Sequence, residues 1–301
     1  MTNTLKSQPT LKILELDPWL EPYRHDLEER MRRYRSVKNA LLSESQTLKD
    51  FANGHHYFGF HQTEEGWYYR EWAPAADALF LIGDFNGWNR ESHPLTRKDN
   101  GVWEIFLPGK NALTHKSLVK VHIKSQGKEF DRIPLYIRRV VQDPETHNFN
   151  GQIWAPETPF QWTDSNFQVD TSKAPLIYET HIGMAQEKCG IGTYKEFEEN
   201  ILPRIKELGY NTIQIMAIME HAYYGSFGYH VTNFFAASSW FGTPEDLKSL
   251  INKAHEMGIA VLMDLVHSHA AKNTAEGINE FEGTDYQFFH SGGLGNHDVW
   301  D

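Results

Sequence analysis

Cysteine is almost absent: Cys189 is the only one in 301 residues, so no disulfide can form within the chain. Positive charge is also scarce. The 29 Lys and Arg stand against 40 Asp and Glu, a formal net charge of -11. Nucleic-acid binding needs clustered cations to displace counterions, so this balance argues against a nucleic-acid partner. The one basic cluster, Arg30 to Arg35, reads as a solvated helix face. No stretch approaches the roughly 20 apolar residues that a membrane span requires, so no membrane partner is expected. The opening MTNTLKSQPT is polar and has no apolar stretch of the secretory type. Glycine-rich phosphate-cradling loops are missing too. Together these absences lead to the expectation of a cytoplasmic protein. What is plentiful is aromatic side chains, 13% of the residues with nine tryptophans. Flat rings serve large cores, and they also stack on the apolar faces of sugars.

Three regions follow one another. Residues 1–50 read as a helical segment, because Leu20, Tyr23, Leu27, Met31, Tyr34 and Leu41 recur at three-to-four spacing. Residues 51–160 read as a β-sandwich of short strands with turn signals. In "LVKVHIK", Val119, Val121 and Ile123 alternate with Lys120, His122 and Lys124, and "ALFLIGDFNGWN" runs into the turn pair Asn86-Gly87. The Pro- and polar-rich residues 161–175 read as a linker.

From residue 176 to residue 301 the pattern becomes strand, helix, strand, helix, strand. Thr193 with Glu196 has capping-box spacing, and Gly209 reads as the stop of that helix, with Pro203 a kink inside it. Thr243 and Pro244 open the second helix and Gly258 ends it. Such alternation implies a parallel sheet with right-handed crossovers. Long connections follow the second and third strands, and the carboxyl ends of parallel strands are where α/β folds bind ligands.

"VLMDLVHSH", Val261 to His269, ends on that rim. Three chemistries fit an acid and two histidines at a strand end. His267 and His269 could ligate a metal with His181, although a regular strand points Asp264 the opposite way. They could grip a sugar through directional hydrogen bonds. They could also simply end a strand.

"GIAVLMDLVHSH" resembles the first signature region of the α-amylase clan of glycoside hydrolases. "IMEHAYYGSFGYHVTNFFAASSWFG" resembles the loop after the second barrel strand, in the wording of the glycogen branching enzyme family. "EWAPAADALFLIGDFNGWN" resembles the glycogen-binding sandwich that precedes the barrel there. The resemblance covers nearly the whole chain. It implies a multidomain architecture: helical segment, sandwich, and the first three β/α units of an incomplete (β/α)8 barrel. It also implies cleavage of α-1,4-glucan and transfer of the segment to a 6-hydroxyl by a retaining double displacement.

By that resemblance Tyr229 stacks on the sugar, His269 hydrogen-bonds its hydroxymethyl oxygen, and Asp264 positions the catalytic apparatus by holding an arginine. Trp88 and Trp103 are the stacking candidates of the sandwich. Ser268 stands where many α-amylases carry a calcium-binding Asn, so no calcium site is implied, and no cofactor is. The family's nucleophile and acid/base match no residue here: Asp285, Asp298 and Asp301 correspond to neither, so the expectation is that both lie beyond Asp301, in a missing carboxyl-terminal half of the barrel. The partner implied is α-1,4-glucan or glycogen. A non-catalytic α-glucan-binding protein and a metal hydrolase are the competing readings. The sandwich is expected to stand alone on its own core, and the barrel part to be the weak, association-prone half.

Overall fold

A computed structural model describes residues 11–43 and 45–295. These fall into two compact units, one ending at His56 and one beginning at Tyr57.

The first unit is helical: α1 (Lys12–Leu16), a 3-10 stretch (Pro18–Tyr23), α2 (Arg24–Leu41) and α3 (Leu48–Phe51). Asp17 caps the 3-10 stretch by accepting from the Trp19 amide, and Thr47 and Asp50 form a reciprocal capping box on α3. The stripe on α2 is only partly covered: Leu27 and Met31 are half-buried, Tyr34 and Leu41 exposed. Arg30, Arg32 and Arg33 face solvent, with Arg32 paired to Glu29.

The second unit begins with two antiparallel sheets. Strands β1 (Gly59–Gln62), β2 (Gly66–Trp72), β3 (Ala78–Gly83), β4 (Thr96–Arg97), β5 (Val102–Pro108), β6 (Leu118–Ser125), β7 (Lys128–Arg132), β8 (Val140–Gln142) and β9 (Phe149–Gln152) pair as β1-β2-β5-β4 and as β3-β6-β9-β8, with β7 on β6. Their inner faces make one core in which Leu79, Leu81, Val119, Val121 and Ile123 are fully buried. The alternation in "LVKVHIK" therefore holds on its apolar side. On the other side His122 is buried as well, held by Asp131 at 2.8 Å.

The α/β part adds β10 (Ile177–Thr180), α4 (residues 194–207), β11 (Thr212–Ile215), α5 (Pro244–Glu256) and β14 (Ala260–Met263), with β12 (Met219–Glu220) and β13 (Asn233–Ala237) as a small antiparallel pair between β11 and α5. β10, β11 and β14 are parallel and adjacent in that order. The predicted Thr193–Glu196 capping box forms, and Thr243, the predicted start of the second helix, makes a box of its own with Asp246. The Pro203 kink takes the form of a π turn over Phe197–Ile201. A proline in a helix cannot donate to the preceding turn, and widening the turn ahead of it absorbs the loss. Ile213 and Ile215 face the helices and are buried, while Glu179, Gln214 and Leu262 line the opposite face of the sheet, with Glu179 and Leu262 exposed.

The sandwich core is built mostly from its own residues, but it is not closed by them alone. Phe281, Ala236 and the half-buried Ala222 and Ile278, all from the α/β part, complete that core, and Phe281 has no exposure at all. Polar ties follow the same seam. The Ala75 amide donates to the buried Glu282 carboxylate at 2.8 Å, Gln287 donates to the Trp72 carbonyl at 2.7 Å, and Arg139 donates to the Gly242 carbonyl at 2.7 Å. Residues 161–175 are fastened too: His255 of α5 pairs with Asp164 at 2.6 Å and stacks on Phe167.

Candidate functional site

The carboxyl ends of β11 and β14 carry the residues singled out above. β14 ends at Met263, but the Asp264 amide still donates to the Ile215 carbonyl at 3.0 Å, so Asp264 is fixed at the rim by one more ladder bond. Tyr229 reaches it from the β11–α5 connection. The turn before Tyr229 presses so close to β11 that a Cβ on Gly228, whose φ is +91°, would collide with the Ala217 carbonyl. Only glycine fits there. Ala217, Met219, Val231 and Val266 form a small apolar floor against which Tyr229 packs.

The Tyr229 hydroxyl donates to the Asp264 carboxylate at 2.7 Å. Burial first, and then this bond to an anion, push the phenol up to about 12, so it is a neutral donor across the physiological range. His269 closes the group. Its Nε2 lies 2.8 Å from the Tyr229 carbonyl, which can only accept, so Nε2 carries the proton. Nδ1 then accepts from the Ser268 hydroxyl at 2.8 Å. The Tyr229 carbonyl, rather than the Ser268 hydroxyl, selects this tautomer, because a hydroxyl can donate or accept.

The sequence-derived candidates thus divide. Tyr229, Asp264 and His269 come together. His267 is exposed, and among the described residues no three His, Cys, Asp or Glu side chains converge as metal ligands. His181 is buried elsewhere, with its ring edge-on to Phe227 and Phe241. Asp285 is exposed and bonded to Ser291, while Asp298 and Asp301 lie outside the described residues. Trp103 needs correction as a glycan contact. It is 4% exposed within the sandwich core, its indole donating to the Ala73 carbonyl at 2.9 Å, and it offers no ring face to a sugar. Trp88 is half-buried on the turn after β3, in a left-handed conformation (φ 63°), and donates to Asp84 at 3.1 Å.

Sequence reasoning missed Glu220. It lies at the base of the same connection, fully buried, with burial pushing its carboxyl up to about 7. The signal was present: "AIMEHAY" sets an acid in an apolar run immediately after a strand. A cavity of about 730 Å³ opens at the amino ends of the strands, beside Asn211, His255 and Ala260, and none of the three site residues lines it.

Residues 57–137 match the family Carbohydrate-binding module 48 (Isoamylase N-terminal domain), and residues 184–294 match Alpha amylase, catalytic domain. The 1,4-alpha-glucan-branching enzyme of Dictyostelium discoideum is 49% identical over all of this chain and 45% of its own length. The 1,4-alpha-glucan-branching enzyme 2-2, chloroplastic/amyloplastic, of Arabidopsis thaliana is 48% identical over 96% of this chain and 36% of its own. That of Felis catus is 45% identical over 96% and 42%. The chain spans less than half the length of these curated relatives. Among solved structures, a putative alpha amylase from Salmonella typhimurium superposes on 79% of the chain with a TM-score of 0.65 at 20% identity. A pullulanase from Bacillus acidopullulyticus superposes on 80% of it with a TM-score of 0.61, also at 20% identity. Both cover well under half of those chains, 38% and 33%, and speak to the fold alone.

Proposed function

We propose that this chain, which resembles 1,4-alpha-glucan-branching enzymes from one end to the other, supplies the glucan-binding side of a branching enzyme of the α-amylase clan. The observation that carries the reading is the joining of Tyr229, Asp264 and His269 at the carboxyl ends of parallel strands. In this reading β10, β11 and β14 are the first three strands of a (β/α)8 barrel. Tyr229 offers its ring to a glucose unit, and His269 turns from the Tyr229 carbonyl to a sugar hydroxyl when glucan enters. Asp264 exchanges the phenol for an arginine supplied from outside these residues.

The chemistry is a retaining double displacement. A carboxylate attacks the anomeric carbon while an acid protonates the departing 4-oxygen. The glycosyl ester is then opened by a glucan 6-hydroxyl, whose proton passes to the same acid/base. Neither carboxylate is assigned to a residue of this chain. The glucan partner and the cytoplasmic placement expected above belong to the same reading. Calorimetric titration with maltoheptaose tests it: binding by the chain that Tyr229→Ala abolishes is the expected result, and no binding, or binding indifferent to Tyr229→Ala, overturns it. On amylose the chain by itself is expected to make no α-1,6 linkages, since removing such groups costs many orders of magnitude in rate.

A further inference from the structure

The connection that presents Tyr229 leaves the sheet after β11 and returns to it at α5, and its two limbs meet at Glu220. One oxygen of the Glu220 carboxylate accepts from the adjacent His221 amide at 3.2 Å. The other accepts from the Ser239 amide at 2.8 Å, nineteen residues along the chain. The Glu220 carbonyl accepts from the Thr232 amide at 2.9 Å and from its hydroxyl at 3.1 Å. A register shift between Met219 and Glu220 breaks the β12–β13 ladder at this point, so the side chain does what ladder bonds would otherwise do. The only register partner of Glu220 is Asn233, whose buried Oδ1 has no hydrogen-bond partner.

We propose that Glu220 is the positioning residue of the candidate site, its carboxyl holding the neck of the β11–α5 connection closed so that Tyr229 meets Asp264. Its role in glucan binding rests on the function proposed above; its hold on the neck does not. Glu220 has no exposure, and its burial favours the neutral acid over the carboxylate that the His221 and Ser239 amides would hold.

The charged and titratable groups around it are few. Arg139 faces it from the sandwich and opposes protonation, but its guanidinium donates to the Gly242 carbonyl and to Gln152. Tyr194 of α4 faces it and is kept neutral by burial; burial lowers the His221 pKa as well, favouring its neutral form. Glu245 and Asp246 of α5 face Arg139. The closed neck therefore keeps a proton that an open, hydrated neck releases. Closure is favoured in mild acid and weakens as pH rises through about 7.

Hydrogen exchange read by mass spectrometry on the whole chain tests this, with rates corrected for the intrinsic effect of pH. Protection of residues 221–238 is expected to fall about tenfold between pH 6 and pH 8. Helix α5, which opens with the unit as a whole, serves as the internal reference for the change in global stability, and the fall at 221–238 is expected to survive in amides that exchange faster than α5. Glu220→Gln, uncharged at both pH values, should remove the slope, and Arg139→Gln should move its midpoint upward. Flat protection in the natural chain, or a slope that Glu220→Gln retains, overturns the proposal; if Glu220→Gln does not fold, the natural chain and Arg139→Gln still decide it. Maltoheptaose titration at the same pH values separates the two readings. A pH-dependent neck with no glucan affinity leaves Glu220 in its role and removes the glucan function. Glucan binding with a flat neck removes Glu220 alone.

Discussion

The hydroxyl of Tyr229 and the carboxylate of Asp264 lie 2.7 Å apart, joining a residue of the β11–α5 connection to the end of β14. This bond makes the candidate site a property of the tertiary fold. Tyr229→Phe removes the bond and keeps the ring. It is expected to lower stability by about 1 kcal/mol, since Asp264 is only half-buried and can turn to water. Maltoheptaose affinity should survive Tyr229→Phe far better than Tyr229→Ala, which calorimetric titration of both variants will read.

The chain should be more stable toward unfolding in mild acid than at pH 8. Burial pushes the carboxyls of Glu71 and Glu220 up to about 7 in the folded chain, whereas an unfolded glutamate titrates near 4.5. A folded value above the unfolded one means that the native state holds the extra proton. The stability contributed is full below about pH 4.5 and is lost as pH rises through about 7. Urea midpoints at pH 5.5 and pH 8 check the sign. Glu71→Gln, at the site bonded to Tyr69 and the Leu135 amide, should flatten part of the slope.

The two tryptophans of the sandwich should separate cleanly. Trp103→Ala empties a core position and is expected to cost about 3 to 5 kcal/mol. Trp88→Ala should cost little stability and should weaken any glucan affinity of the sandwich. Denaturation and titration of the two variants would refute this assignment if their effects were exchanged.

Cleavage by protease in the segment after residue 265 should be slow near Phe281 and Glu282, where the chain is locked into the sandwich. Phe281→Ala should open it, at about 3 to 5 kcal/mol. The edge of β14 is a different matter. Leu262, Met263 and Leu265 are 44%, 49% and 48% exposed, and no strand pairs beyond β14 among the described residues. Association through that edge is expected, and Met263→Lys should reduce it in light scattering.

Local chemistry was readable in the sequence wherever it is written in short-range rules. Thr193 with Glu196 and Thr243 with Pro244 gave both helix starts, because a cap needs only its own first turn. The inward row Val119, Val121 and Ile123 followed from a period of two. The same rule places Trp103 inside, since Leu107 shares its face while Glu104 and Phe106 lie on the other. The pull of an aromatic ring toward a sugar role overrode that rule. At the site, the nearness of Tyr229, Asp264 and His269 followed from resemblance, but the bonds among them did not. They depend on where a long connection returns, which no window of sequence encodes. Phe281 was illegible for the same reason: it looks like one more apolar residue in a polar loop until the sandwich it completes is in view.

That shared core bears on how such a protein can be rearranged. Sandwich domains invite transfer between hosts as cassettes. This one would arrive with holes where Phe281, Ala236 and Ile278 belong, and with the Ala75 amide deprived of Glu282. A transplant that keeps its fold would have to carry residues 217–242 and 271–287 along with it, or replace their side chains by a lid of matching shape. Heated, the sandwich and the α/β part should melt together in one calorimetric peak, as a single thermodynamic body.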